Sequence, residues 1–205
     1  MLAIIIGHEA RKPGAMGTAP LSKSEYEWNT AVAAELYRLA REEGLDCKVF
    51  TRDGRTIDNV AQNVNGWAWD DTKPACCVEL HFNASAFEKT VLDGAGEPKV
   101  VVVKGAARGT EVLYDADPAS GKELAEDVYD EVCRLFARTG KQKRGVKLLD
   151  DAQDRGYASL KAVKIPAVIV EPAFGDNKED ALLLAGAEKK YAQALCNAVQ
   201  KFLRR

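Results

Sequence analysis

Histidine is scarce in this chain: 205 residues contain two, His8 and His81. Each stands just past a short apolar run, in Ile6-Gly7-His8 and in Val78-Glu79-Leu80-His81. A carboxylate holds the same place after a third run, in Ile169-Val170-Glu171. Imidazole titrates near neutral pH and is the commonest nitrogen ligand for metal ions. A carboxylate at the end of a buried run is costly unless it is paired or bound. Taken singly, a histidine at a strand end is more often a hydrogen-bonded structural group than a ligand. Three such residues at equivalent positions, with no other histidine in the chain, point instead to one site. Two imidazoles and one carboxylate form a ligand set for catalytic zinc that leaves a fourth position open for water.

The elements that must bring these groups together can be read from the patterning. Leu2–Ile6, 75–80 and 167–170 are short, apolar and rich in β-branched residues, as buried strands are. In open α/β sheets, ligands bind in the crevice at the carboxyl ends of the strands. If the three runs are parallel neighbours, His8, His81 and Glu171 meet on one rim. Ser24 reads as a helix N-cap, and apolar residues at Val32, Leu36 and Leu39 carry the helix toward Gly44. Its first turn offers two further carboxylates, Glu25 and Glu27, about 200° apart around the helix. Only one of them can face the site; Glu25 shares its face with Asn29.

The remainder alternates between the two periods. A strand is expected at Cys47–Phe50, a helix over 57–69, a β-excursion over 86–110, and a strand over 111–114. Ser120 opens a helix through Leu124, Val128, Val132 and Leu135, which Gly140 is expected to close. Arg138, Lys141, Lys143 and Arg144 then read as a solvated, basic helix end. A final helical stretch over 181–203 is broken near Gly186. No repeat or linker interrupts this order, so the expectation is a single α/β domain over 1–205. Its sheet is mixed but mainly parallel, of about six strands, with helices on both faces.

Composition narrows the function classes. Lys plus Arg number 29 and Asp plus Glu 31, a net charge of −2, which gives no global attraction to nucleic acid or anionic membrane. The longest apolar runs are far too short to cross a bilayer. The N-terminus shows no basic start followed by an apolar leader, so cytoplasmic synthesis is expected. Five cysteines, an odd number without CxxC spacing, read as reduced, buried thiols.

Four motifs in chain order resemble the type-3 family of zinc-dependent N-acetylmuramoyl-L-alanine amidases, found in bacterial autolysins and phage endolysins. Gly7-His8 with Pro13-Gly14-Ala15 and Gly17 resembles the family's GHGG-x-DPGA-x-G opening. Glu25-x-x-x-Asn29 is similar to its EK-x-x-N helix start, and His81-Phe82-Asn83-Ala84 to its H-x-N-A. Pro166-Ala167-Val168, Glu171, Phe174 and Asn177 are similar to its closing PAV-x-x-E-x-GF-x-x-N, with Arg144-Gly145-Val146 before it. The resemblance implies that His8, Glu25 and His81 hold one zinc ion, which selects Glu25 over Glu27, and that Glu171 is the catalytic carboxylate. It implies hydrolysis of the amide between N-acetylmuramic acid and L-alanine in peptidoglycan. The rival readings are a zinc carboxypeptidase acting on stem peptides and an inactive cell-wall binding module. The expected partner is peptidoglycan rather than nucleic acid or membrane. A monomer is expected, with no separate wall-binding domain, acting on the wall after release through a phage lysis pore.

The departures from the family pattern are specific. Glu9 and Ala10 stand where two glycines are usual, Lys12 replaces an acid, and Ala173 replaces a glycine. Glu79, two residues before His81 and so on the same strand face, stands where serine is frequent. It reads equally as a partner orienting His81 or as an acid on the wall of a wet cleft.

Overall fold

The computed structural model describes residues 1–68, 73–103, 105–118 and 120–205. Six strands form one sheet in the order β2-β1-β3-β8-β6-β7. At its centre, β1 (Leu2–Ile6) pairs in parallel with β2 (Cys47–Phe50) and with β3 (Cys76–Leu80). The parallel run continues from β3 to β8 (Ala167–Glu171). The three strands that carry His8, His81 and Glu171 are therefore parallel neighbours, as the common rim requires. The sheet is mixed because β6 (Thr110–Tyr114) runs antiparallel to β8, and β7 (Lys143–Leu148) pairs in parallel with β6.

The central strands read as continuous apolar runs because both of their faces are covered. Leu2, Ile4, Ile6, Val78 and Val170 point into one core. Three helices cover that face: α1 (Glu25–Glu42), α3 (Gly121–Leu135) and α6 (Glu188–Leu203). Ala3, Ile5, Cys77 and Ile169 face the other core, with residues of α2 (Ile57–Trp67) and α4 (Tyr157–Ala162). Trp28 of α1 stacks on Tyr191 of α6 at 5.2 Å between centroids and donates its indole N–H to the Leu184 carbonyl. All five cysteines are buried and free. No helix among the described residues is long and apolar enough to cross a membrane.

Several expectations are refined. The expected break near Gly186 separates α5 (Lys178–Leu184) from α6. The expected helix over 57–69 ends at Trp67 with Ala68 as its cap; Trp69 lies outside the described residues. The excursion is a hairpin of β4 (Phe87–Leu92) and antiparallel β5 (Pro98–Val103), forming a sheet of its own. It carries exposed apolar side chains at Leu92, Val100 and Val102.

Two readings are corrected. Gly140 does not close α3: the helix ends at Leu135, and Ala137 takes a left-handed φ of 47°. Gly140 instead opens a 3-10 turn. The basic stretch is not one solvated helix end. Arg138 is buried and its guanidinium bonds Asp180 Oδ1 at 2.6 Å, while Lys143 and Arg144 belong to β7.

Candidate metal centre

Each proposed ligand is placed by a local device. β1 ends in Gly7-His8, where Gly7 N–H donates to the Leu80 carbonyl. A Cβ on Gly7 would lie within 2.5 Å of His81 Nε2 and of Leu80 O, so only glycine lets the two histidine-bearing strand ends approach. His8 itself has φ 66°, an unusual conformation for a side-chain-bearing residue. The loop above it turns at Gly14 (φ +77°), whose missing Cβ would stand 2.6 Å from Glu25 Oε2 and from His8 Cδ2.

The first turn of α1 separates the two candidate glutamates. Ser24 Oγ accepts from Glu27 N, while Glu27 Oε2 accepts from Ser24 N at 2.8 Å, a reciprocal capping box. Glu27 is thus used to start the helix. Glu25 is fully buried and points into the site. Its Oε1 lies 2.7 Å from His81 Nδ1 and accepts from Phe82 N at 3.2 Å. Its Oε2 lies 3.1 Å from His8 Nε2 and accepts from Ala15 N at 3.2 Å. The two imidazoles stand edge to face, 5.2 Å between centroids.

One ligand atom from each of His8, Glu25 and His81 falls within 4.8 Å of the others. His8 Nε2 is buried, close to Glu25, and still makes no hydrogen bond of acceptable geometry among the described residues. A lone pair presented this way suits a cation, and two nitrogens plus a carboxylate suit zinc. Without metal, protons take the cation's place. Burial works against charge on His81, but hydrogen bonds to Glu25 and Glu79 outweigh it and raise its pKa to about 10. Burial likewise opposes ionisation of Glu25, yet the adjoining His8 and His81 imidazoles hold its pKa down to about 2.

Glu171, the last residue of β8, is 5% exposed, and its Oε2 has no hydrogen-bond partner among the described residues. Burial raises its pKa to about 8, the nearby His81 cation offsetting part of that effect. Glu171 and the two histidines line one cavity of about 410 Å³, with Glu79, Arg52 and Arg155 also on its wall. The segment after His81 is stitched to the segment after Glu171. Asn83 N–H donates to Ala173 O at 2.9 Å, and Gly175 N–H returns to Asn83 O at 2.8 Å. The distance between the two halves of the site is therefore set by backbone.

The structure brings all four predicted residues to one rim. It also adds groups that sequence reasoning missed. Glu111, at the start of antiparallel β6, accepts from Asn83 Nδ2 at 2.7 Å and from Arg144 and Lys147 at 2.6 and 2.5 Å. Ser159 of α4 and Arg52 both reach Glu79. No periodic pattern marks Ser159 or Arg52. Glu111 escaped because it enters the rim from the beginning of a strand.

Fold and site together define an α/β domain with a candidate mononuclear metal centre at the carboxyl ends of parallel strands. The sequence signature of the N-acetylmuramoyl-L-alanine amidases matches residues 2–201, and the chain belongs to that family. It is 27% identical over 202 residues to the N-acetylmuramoyl-L-alanine amidase LytC of Bacillus subtilis (strain 168), covering 97% of this chain and 34% of LytC. The chain thus spans about a third of that relative's length. An N-acetylmuramoyl-L-alanine amidase from Clostridium difficile 630 has the same fold, with a TM-score of 0.74 at 18% identity over 99% of this chain and 96% of that one. The catalytic domain of the CD27L endolysin targeting Clostridia difficile matches with a TM-score of 0.71 at 24% identity, covering 98% and 96%.

Proposed function

We propose that residues 1–205 act as one zinc-dependent catalytic domain that hydrolyses the amide between N-acetylmuramic acid and L-alanine in peptidoglycan. His8 through Nε2, Glu25 through its carboxylate and His81 through Nδ1 would hold the ion. Bound there, zinc supplies Lewis-acid polarisation of the scissile carbonyl and acidification of the attacking water. Glu171 accepts that water's proton and delivers it to the departing alanine nitrogen, the work of a general base that becomes a general acid. Its burial suits the task, because a carboxylate with a pKa raised toward the working pH can both take and return a proton. Glu171 is almost wholly buried in the cavity wall, and the Asn83–Ala173 stitching keeps that carboxylate in register with His81.

The observation that carries this reading is the buried Glu171 carboxylate, whose Oε2 has no hydrogen-bond partner among the described residues, in the same cavity as His8 and His81 of the ligand cluster. The substrate is the wall polymer or its muropeptides, and the place of action is the cell wall. The test is mass spectrometry of digested purified walls with Glu171→Ala beside the wild type, with zinc content measured on both. Peptides beginning with L-alanine and intact glycan are expected from the wild type alone. Release of a carboxy-terminal amino acid instead would identify a carboxypeptidase. Equal digestion by Glu171→Ala with zinc bound would remove Glu171 from the mechanism.

A further inference from the structure

His81 meets a different carboxylate at each ring nitrogen. Nδ1 faces Glu25, inside the metal cluster, at 2.7 Å. Nε2 faces Glu79 Oε1, outside it, at 3.1 Å. Glu79 is no rim acid: it is 2% exposed, and its second oxygen accepts from the Ser159 hydroxyl. The Arg52 guanidinium lies 3.5 Å from Oε1. A buried carboxylate of this kind is costly unless its partners satisfy it, and Ser159 of α4, Arg52 of the loop after β2 and His81 just past β3 converge on it.

We propose that Glu79, held by Ser159 and Arg52, is the positioning residue that fixes His81 as the Nε2–H tautomer with the Nδ1 lone pair turned to the metal. A neutral imidazole has one N–H and one lone pair, so an acceptor at Nε2 decides what Nδ1 presents. Carboxylates beyond the ligand shell orient ligating histidines in this way and raise their basicity. His8 takes the opposite arrangement, with Nε2 toward Glu25. The two histidines of the chain thus offer the ion different nitrogens. The inference rests on the metal reading of the site.

Two measurements on the whole chain test it. Zinc affinity, by competition with a chromophoric chelator, is expected to fall about 10–100-fold in Glu79→Ala. Glu79→Gln keeps a carbonyl acceptor and is expected to stay within about threefold of wild type. A purely structural role would lower the melting temperature of the metal-free protein in both variants and leave the zinc affinity of the folded fraction unchanged. The second measurement uses the wild type and does not depend on variant folding. Nitrogen-15 spectra of the zinc-loaded protein contain only two imidazoles, and the ring assigned to His81 is expected to carry its proton on Nε2. A His81 protonated on Nδ1, or a folded Glu79→Ala binding zinc within about threefold of wild type, overturns the inference alone. A wild type that takes up no zinc overturns it together with the proposed function.

Discussion

Glu111 and Glu171 are cross-strand partners in the antiparallel pair β6–β8, two carboxylates side by side at one cleft. Their surroundings drive them apart. Burial would raise Glu111, but hydrogen bonds from Lys147 and Arg144 outweigh it and hold its pKa below the usual value. No donor among the described residues bonds Glu171 Oε2, and burial lifts the Glu171 pKa to about 8. A pair of acids separated in this way divides the labour: one stays charged and organises the wall, the other exchanges protons.

That separation predicts a pH-dependent stability effect in the metal-free protein. The folded pKa of Glu171 lies above the ordinary 4.5, so above that pH the folded form keeps a proton that the unfolded chain has shed. Its contribution to stability therefore falls as pH rises from 4.5 and levels off beyond about 8. Glu171→Gln removes that share of the decline, leaving the loss that His81 contributes as pH rises above 6.5. Chemical denaturation from about pH 5 to about pH 9 is expected to show the variant gaining a few kcal/mol over wild type at the alkaline end, at about 1.4 kcal/mol per pKa unit. Parallel wild-type and variant curves would contradict the burial account of Glu171.

Zinc should act as a folding ligand. At about a hundred times its dissociation constant it is expected to stabilise the wild type by about 2.7 kcal/mol, reversed by a chelator. His8→Ala is expected to lose most of that gain. Thermal melts with zinc, with chelator and with neither are sufficient, and indifference of the wild-type melting temperature to zinc would count against the metal centre.

Gly7→Ala places a methyl against His81 and the Leu80 carbonyl, between strands that cannot separate without breaking their ladder. A loss of about 1–3 kcal/mol is expected from overpacking, together with weakened zinc binding. Denaturation and metal titration on one sample read both; normal values for both would mean that the strand ends open more easily than the geometry implies.

Arg138 and Asp180 form an ion pair with both side chains 1% exposed. Arg138 also donates to Pro172 O, directly after Glu171, and Asp180 accepts from Gly109 N and Phe174 N. Arg138→Met strands a buried carboxylate, and a cost of about 3–5 kcal/mol is expected in urea unfolding. A cost below about 1 kcal/mol would show that water already reaches Asp180.

The rim of parallel strands was legible because β1, β3 and β8 are buried on both faces and so read as unbroken apolar runs. The opposite happened at β7: Lys-Arg-Gly-Val-Lys-Leu lies at the sheet edge, half exposed, and its charges hide the strand. Arg138 looked like a surface cation because its partner, Asp180, is 42 residues away in sequence. Residue spacing left Glu25 and Glu27 open, and family resemblance chose between them. The capping box gives the physical reason, since Glu27 is committed to Ser24. Glu79 was balanced between two readings until α4, an element without a clear periodic signal, placed Ser159 against it.

The hairpin β4–β5 leaves the chain just after the His81 segment and returns just before Glu111. At its root, Asp176 Oδ2 accepts from Ser85 N and Ala86 N at 2.9 and 2.6 Å, which fastens the departing strand to the loop that follows Glu171. Beyond that fastening, the strands of the arm pair only with each other among the described residues and form a small sheet of their own. Asp176 is therefore the hinge pin between the arm and the rim, an acid through which a change in either is felt by the other.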